Sequence, residues 1–236
     1  QSACVLRIDE VIVHKDGQTV AVVQELAKGG SLLDEVLDSG PLHEEAAKSV
    51  TRRLLCALCR LHEIGIVHRD IKPENVLLAR AGDYESTKLA DLGFAVELDA
   101  RGLIPPSVRL AGSPAYLAPE IVAALTSGAP RRFDTAIDVW GVGATLFMLL
   151  VGFPAFEGDS SDEVFSNILA HVEETGTRLF CDPEGRGMEI SEAWSQVSEP
   201  ARRFVRELLA PHAALRPSAR EALRSDWFRI VVPQPR

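Results

Sequence analysis

The sequence of 236 residues lacks two features that would place it in other classes of protein. It has no run of basic residues, and its net charge of −9 argues against binding to nucleic acid or to an anionic membrane surface. Its longest apolar run, near Ala144 to Val151, is far too short to span a bilayer. We therefore expect neither nucleic acid nor a membrane among its partners.

The sequence also lacks a cysteine pattern that would bind a metal. Four cysteines occur, and only Cys56 and Cys59 form a C-x-x-C pair. This pair lies within a helical pattern, and no second pair or histidine cluster follows it, so buried thiols are favoured over a metal or redox site. Reduced thiols predict a cytoplasmic location, with the nucleus as the alternative. No EF-hand loop is present, which argues against direct calcium sensing.

One stretch of the sequence, from Ile66 to Leu78, reads I-V-H-R-D-I-K-P-E-N-V-L-L. It places an acid, a lysine and an amide, Asp70, Lys72 and Asn75, between two apolar flanks. Charged side chains are rarely held there unless they are paired or take part in chemistry. A solvated turn would explain a bare D-x-K-x-x-N, but the full H-R-D-x-K-x-x-N string is the catalytic loop of protein kinases.

Two further motifs follow in the order that a kinase requires. Residues Lys88 to Gly93 are predicted to form a strand that ends in Asp-Leu-Gly, where the usual motif is D-F-G. Residues Gly112 to Glu120 read G-S-P-A-Y-L-A-P-E, in which a serine followed by proline is typical of serine/threonine kinases. From Val5 to Phe228 the sequence resembles the C-terminal part of a eukaryotic-type serine/threonine protein kinase. It is most similar to the calcium/calmodulin-dependent and calcium-dependent kinase group.

The resemblance implies an α+β, mainly α fold: a protein-kinase-like large (C-terminal) lobe with a remnant of the small-lobe β-sheet. Residues 1–25 are predicted to be the small-lobe remnant, residues 26–30 the hinge, residues 31–229 the large lobe and residues 230–236 a tail. Apolar spacing predicts a long helix from His43 to Ile64 and a central helix near Asp138 to Val151.

β-Branched residues predict a first strand over Val5 to Ile8 and Val11 to Val13, and a second over Thr19 to Glu25. The turn signal Lys15 to Gly17 separates them. Because two strands alone make a marginal hairpin, the rest of their sheet is expected upstream of this sequence.

The resemblance also implies which residues perform the chemistry. Asp70 is expected to accept the proton of the acceptor hydroxyl, Lys72 to neutralise charge on the phosphoryl group, and Ser113 to hold both in place. Mg²⁺ is expected on the hard oxygen donors of Asn75 and Asp91. Adenine is expected between the Glu25 carbonyl, the Ala27 N–H and the Leu77 side chain. The ATP-binding residues are thus predicted to be Glu25, Ala27, Glu74, Asn75, Leu77 and Asp91.

Four other residues are expected to support the site: His68, Asp138, Glu120 and Arg216. By resemblance, Asp138 hydrogen-bonds the backbone of the catalytic loop, and Glu120 forms a buried pair with Arg216, although two ordinary surface charges are the alternative.

Regulation is less clearly indicated by the sequence. By resemblance, residues Asp91 to Glu120 are the activation segment, and Arg69 usually contacts a phosphate on it, but Arg109 stands at the customary acceptor position and Ser107 is the nearest hydroxyl. The sequence therefore does not support the usual phosphorylation switch, and regulation of this kind stays open. An upstream activating kinase or a regulatory segment would lie outside this chain.

The sequence contains no glycine-rich loop, no strand lysine that would contact the phosphates and no matching helix glutamate. Lys15 and Lys28 lie in sequence contexts that do not match this strand lysine. Two interpretations follow: part of an active kinase that uses ATP and a protein Ser/Thr substrate, or a kinase-like, non-catalytic binding or scaffold module (a pseudokinase). Retention of all four residues needed for transfer and metal binding favours the kinase, and the isolated chain is expected to have little activity. These residues are Asp70, Lys72, Asn75 and Asp91.

Overall fold

The computed structural model describes residues 3–15, 17, 19–128, 132–173 and 187–230. The helices are α1 (Leu32–Ser39), α2 (Glu44–Glu63), α3 (Pro119–Thr126), α4 (Ala136–Val151), α5 (Ser161–Glu173), α6 (Gly187–Gln196), α7 (Glu199–Leu208) and α8 (Ala219–Ala222). The strands are short: β1 (Ile8–Val13), β2 (Val20–Gln24), β3 (Ile66–Val67), β4 (Val76–Leu78), β5 (Thr87–Leu89) and β6 (Val96–Glu97). They pair antiparallel as β1–β2, β3–β6 and β4–β5. The predicted, mainly helical fold is confirmed.

Helix α4 is the centre of the core. All but its first residue are buried, which explains why its sequence is apolar on every side. A Cβ atom at Gly141 would lie 2.8 Å from the Cβ atom of Ile71, so only glycine lets the catalytic loop approach this helix so closely. The loop therefore rests directly on the most buried element of the protein.

Helix α2 packs against α4 along the apolar stripe that the sequence predicted. Val50, Leu54 and Leu58 are buried on this stripe, and charged residues cover the opposite face. Ile64, the last residue of the predicted range, is the C-cap of the helix. Gly65 then adopts a φ of +75°, which ends the helix and turns the chain into β3 and the catalytic loop.

The N-terminal region differs from the prediction. Strand β1 begins at Ile8, and the preceding segment instead pairs with β5. The Leu6 N–H donates to the Leu89 carbonyl at 2.8 Å, and the Leu89 N–H donates to the Cys4 carbonyl at 2.8 Å. This segment leaves the hairpin because β5 offers it an open edge. The turn residue Asp16 and the tail beyond Ile230 lie outside the described residues, and the predicted domain boundaries stay predictions.

Two smaller expectations were wrong. Strand β5 ends at Leu89 rather than at Gly93, because Asp91 adopts a φ of +58°, which breaks the extended backbone. Cys56 and Cys59 are half-buried rather than buried, since they lie at the margin of the α2 stripe. Burial nevertheless raises the pKa of both thiols. Across the described ranges, no helix combines the length and the apolar character needed to cross a membrane.

Candidate active site

Asp138, in the first turn of α4, holds the backbone of the catalytic loop. One carboxylate oxygen accepts the His68 backbone N–H at 2.9 Å, and the other accepts the Arg69 N–H at 2.8 Å. The first oxygen also lies 2.8 Å from His62 Nε2. Arg69 has a φ of +72°, an unfavourable conformation for a residue with a side chain. Asp138 holds the loop backbone in this conformation immediately before Asp70.

His68 links the catalytic loop to the segment that carries Asp91. Its Nε2 lies 3.0 Å from the Ala90 carbonyl, and its Nδ1 lies 3.3 Å from the Asp70 backbone nitrogen. Because a carbonyl can only accept and an N–H can only donate, this geometry makes Nε2 the donor and Nδ1 the acceptor. The ring is fully buried and connects the two segments through both of its nitrogens.

Asp70 is the centre of a closed ring of hydrogen bonds. Its Oδ1 accepts from the Ser113 N–H and hydroxyl, each at 3.1 Å. Its Oδ2 lies 2.9 Å from Lys72 Nζ and 2.9 Å from Asn75 Nδ2. Lys72 also donates to the Ser113 hydroxyl at 2.6 Å, which closes the ring. The structure thus brings together the three residues predicted to be catalytic and one predicted metal ligand.

Asn75 and Asp91 come together through the pairing of β4 with β5. The Ala90 N–H donates to the Asn75 carbonyl at 2.8 Å, which places the backbone of Asp91, the next residue, near that of Asn75. The Asn75 amide nitrogen donates to Asp70, which leaves its Oδ1 for another partner. Asp91 is exposed and accepts the Gly93 N–H through Oδ1 alone. The two side chains therefore offer hard oxygen atoms of the kind that Mg²⁺ prefers.

The predicted hinge packs closely on β4. The Gly29 N–H donates to the Leu78 carbonyl at 2.8 Å, and the Leu78 N–H donates to the Gly30 carbonyl at 2.9 Å. A Cβ atom at Gly29 would lie 2.6 Å from the Leu78 Cβ atom, so glycine permits this approach. Leu77, between buried neighbours, is half-buried on the opposite face of the strand. The adenine-binding roles of Glu25, Ala27 and Leu77 stay predictions.

Glu74 is exposed, two residues before β4, and makes none of the ring's hydrogen bonds. Burial first, and then the nearby charge of Glu74, raise the pKa of Tyr116 above its ordinary value. The predicted role of Glu74 in ATP binding stays a prediction.

Comparison with known proteins identifies the family. A family model described as "Protein kinase domain" matches residues 2–228. The chain belongs to the protein kinase family. It is 34% identical to serine/threonine-protein kinase PEPKR2 of Arabidopsis thaliana over 216 residues, 92% of this chain and 40% of that protein. It is 31% identical to calcium-dependent protein kinase 7 of Oryza sativa subsp. japonica, over 92% of this chain and 35% of that protein. This kinase chain thus spans less than half of either relative, and the predicted family is confirmed.

A solved structure shows the same fold. The crystal structure of Rad53 1–466 in complex with AMP-PNP superposes with a TM-score of 0.72 and 24% identity. The match covers 97% of this kinase chain and 51% of that chain. At this identity the likeness establishes the kinase fold and nothing more specific.

Two features of the kinase site were not predicted from the sequence. Arg69 donates through Nε to the Phe94 carbonyl at 2.5 Å and through Nη1 to the Arg109 carbonyl at 2.9 Å. These two carbonyls take the place of the phosphate that the family's arginine usually contacts. Lys88 forms an ion pair with Glu25. The alternation in β5, where a lysine stands between two buried residues, is the signal that would have marked Lys88.

The predicted contact between Glu120 and Arg216 is present. Arg216 donates through Nη1 and Nη2 to the two carboxylate oxygens at 2.7 and 2.8 Å. The guanidinium lies 5.0 Å above the Trp140 ring, and its side chain is fully buried, whereas that of Glu120 is 22% exposed. It also donates to three carbonyls, those of Ala136, Ala210 and Pro211. The pair anchors the end of the activation segment to α4.

Asp138 makes the stability of the kinase domain depend on pH. Burial opposes its charged form, but the hydrogen bond and charge of His62, with the Arg69 N–H, outweigh burial and hold its pKa below the ordinary value. A lowered folded-state pKa stabilises the fold above the unfolded pKa of about 3.9, and this stability is lost as the pH falls through the folded value.

We expect Asp138→Asn to lower the free energy of unfolding at pH 7 by about 3–5 kcal/mol. The buried carboxylate accepts from three donors, whereas the amide has only one acceptor oxygen and turns an NH₂ donor toward the remaining donors. The difference between variant and parent should shrink as the pH falls below about 4. Urea unfolding followed by tryptophan fluorescence measures this difference. A difference that stays constant down to about pH 3 would show that the Asp138 charge is not its source.

Proposed function

We propose that this kinase domain, within the protein that contains it, transfers the γ-phosphoryl group of ATP to serine and threonine hydroxyls of proteins. The ring around Asp70 is the observation that carries the proposal. Phosphoryl transfer requires mainly positioning and charge stabilisation, and the ring supplies an oriented carboxylate beside a lysine. The kinase names of the relatives support the same activity.

The ring assigns a task to each of its members. Asp70 is buried and both of its oxygens accept hydrogen bonds, so its carboxylate is held in one orientation to receive the proton of the acceptor hydroxyl. The hydroxyl oxygen forms the new bond to phosphorus while the bond to the β-phosphate oxygen breaks. Lys72 stands 2.9 Å from Asp70 and contributes positive charge beside the transferred group. Ser113 bonds both and fixes their separation.

Asn75 and Asp91 are the residues that would hold Mg²⁺. Their oxygen donors fit this ion, because the Asn75 amide nitrogen is occupied by Asp70 and the Asp91 carboxylate faces solvent. When bound, Mg²⁺ would neutralise negative charge on the phosphates of ATP. That Rad53 was crystallised with AMP-PNP supports a nucleotide in the corresponding cleft. Adenine would lie on Leu77, with its edge toward the main chain of Glu25 and Ala27.

A titration of the 236-residue chain with ATP tests the metal site. We expect MgCl₂ to strengthen ATP binding by the parent, and Asp91→Asn to reduce this gain by about tenfold, because one charged ligand is lost. Asp159→Asn, an exposed aspartate before α5, is the matched control and should retain the full gain.

The outcomes separate the two interpretations of the sequence. A gain that is equal in the parent and in Asp91→Asn would contradict the metal site. A parent that binds no ATP at any Mg²⁺ concentration would instead support the kinase-like binding or scaffold module.

Reduced thiols support a cytoplasmic or nuclear site of action for this kinase domain. An upstream activating kinase or a regulatory segment outside this chain stays part of the proposal.

A further inference from the structure

Lys88 lies on the face of the β4–β5 pair that is turned away from the core. It stands directly opposite Leu77 in the antiparallel register. The neighbours of both residues in β4 and β5 are buried, whereas Leu77 and Lys88 are only half-buried. Directly paired residues of antiparallel strands project to the same face. Lys88 therefore shares the surface on which the proposed function places adenine.

The partner of Lys88 is Glu25, at the start of the hinge. Lys88 Nζ lies 2.5 Å from Glu25 Oε1, and the same oxygen accepts the Arg7 N–H at 2.7 Å. The Glu25 N–H in turn donates to the Arg7 carbonyl at 3.0 Å. Glu25 is thus held through its backbone by Arg7 and through its carboxylate by Lys88. The hydrogen bond from Lys88 lowers the pKa of Glu25.

The pair borders open space rather than packed interior. Glu25 and Lys88 line a cavity of about 430 Å³, with Val5, Leu6 and Ile8 among its apolar walls. The lysine and glutamate side chains are 17% and 21% exposed, so each is partly removed from water. An ion pair with this degree of burial is screened less than one on the surface and can fix a segment in place.

We propose that Lys88 is a positioning residue for the base of the nucleotide: by holding Glu25, it fixes the hinge main chain that receives adenine. This inference rests on the proposed function. Lys88 belongs to β5, three residues before Asp91, so the pair also ties the hinge to the strand that leads to the metal site. Without Lys88, the hinge samples other arrangements, and binding must then select the competent one.

Nucleotide binding by the 236-residue chain tests the inference. We expect Lys88→Met to weaken binding of ATP and of adenosine by the same factor, about five- to tenfold. Binding of inorganic tripolyphosphate with Mg²⁺ should not change, because the phosphate side of the site is intact. Lys88→Arg should restore most of the affinity, since it keeps the charge and can reach Glu25. Lys15→Met, the same substitution at an exposed lysine beyond β1, should have no effect.

Glu25→Gln supplies a second, independent variant, and it carries the same test if Lys88→Met fails to fold. We expect it to weaken adenosine binding as Lys88→Met does, and the two substitutions together to add little, because they remove one shared interaction. Equal adenosine affinity in the parent, Lys88→Met and Glu25→Gln would overturn the inference and leave the proposed function intact. A loss that is as large for tripolyphosphate as for adenosine would also overturn it. A parent that binds neither ATP nor adenosine would overturn both.

Discussion

Replacing Arg216 by alanine is expected to lower the free energy of unfolding by about 3–5 kcal/mol, because it leaves a partly buried carboxylate without its cation. The guanidinium bonds both oxygens of Glu120 and lies against Trp140, so its loss also opens space beside α4. The measurement is chemical unfolding of variant and parent at neutral pH.

Arg229→Ala is the matched control for this experiment. Its guanidinium pairs with Asp226, and both side chains are about 70% exposed, at 73% and 69%. Exposed pairs contribute about 0–1 kcal/mol, so this variant should unfold close to the parent. An Arg216→Ala protein that also unfolds with the parent would show that the contact to Glu120 contributes little to the fold.

The residues of the catalytic ring could be named from the sequence because their motifs fix their spacing. Six positions of the sequence contain Asp70, Lys72 and Asn75. In the structure, the Asp70 carboxylate contacts both of the other side chains. Ser113 joins them from a second motif 43 positions away, which required the resemblance and could not follow from local pattern. Local pattern alone was enough to predict α2 from its apolar stripe and α4 from its continuous apolar run, because α2 buries one face and α4 buries almost its whole surface.

Other features depend on contacts that no local pattern encodes. The pairing of Val5 with Leu89 arises because β5 has an open edge, whereas the β-branched sequence predicted a longer first strand. The ion pair of Lys88 with Glu25 depends on the register of two elements 63 positions apart. Arg69 could not be assigned its two carbonyl partners, because their positions follow from the path of the whole activation segment.

Asp70→Asn is expected to lower the rate of phosphoryl transfer by about 10²–10⁴-fold, because an amide cannot accept the proton of the acceptor hydroxyl. The fold should remain intact because Asp138 still holds the loop backbone, and the amide, which accepts fewer hydrogen bonds than the carboxylate, should lower the free energy of unfolding without preventing folding. Circular dichroism and urea unfolding provide the control for structure. A variant that retains the parent's rate would exclude Asp70 as the base.

The activity must be measured with a small lobe present. These 236 residues contain neither a glycine-rich loop nor the small-lobe strand lysine that contacts the phosphates of ATP, and charge stabilisation and orientation supply most of the rate of this reaction. We therefore expect the isolated chain to transfer little phosphate. A fusion that places a kinase small lobe with both features ahead of the hinge should restore transfer to serine and threonine.

The most direct measurement is the transfer of radiolabelled phosphate from ATP to a generic basic protein by three proteins side by side: the isolated chain, the fusion and the fusion with Asp70→Asn. If the chain is the large lobe of a serine/threonine kinase, the fusion should label serine and threonine strongly and the isolated chain should label them little. Asp70→Asn should abolish the labelling by the fusion. A fusion that binds ATP yet transfers no phosphate, or one whose activity survives Asp70→Asn, would contradict this assignment.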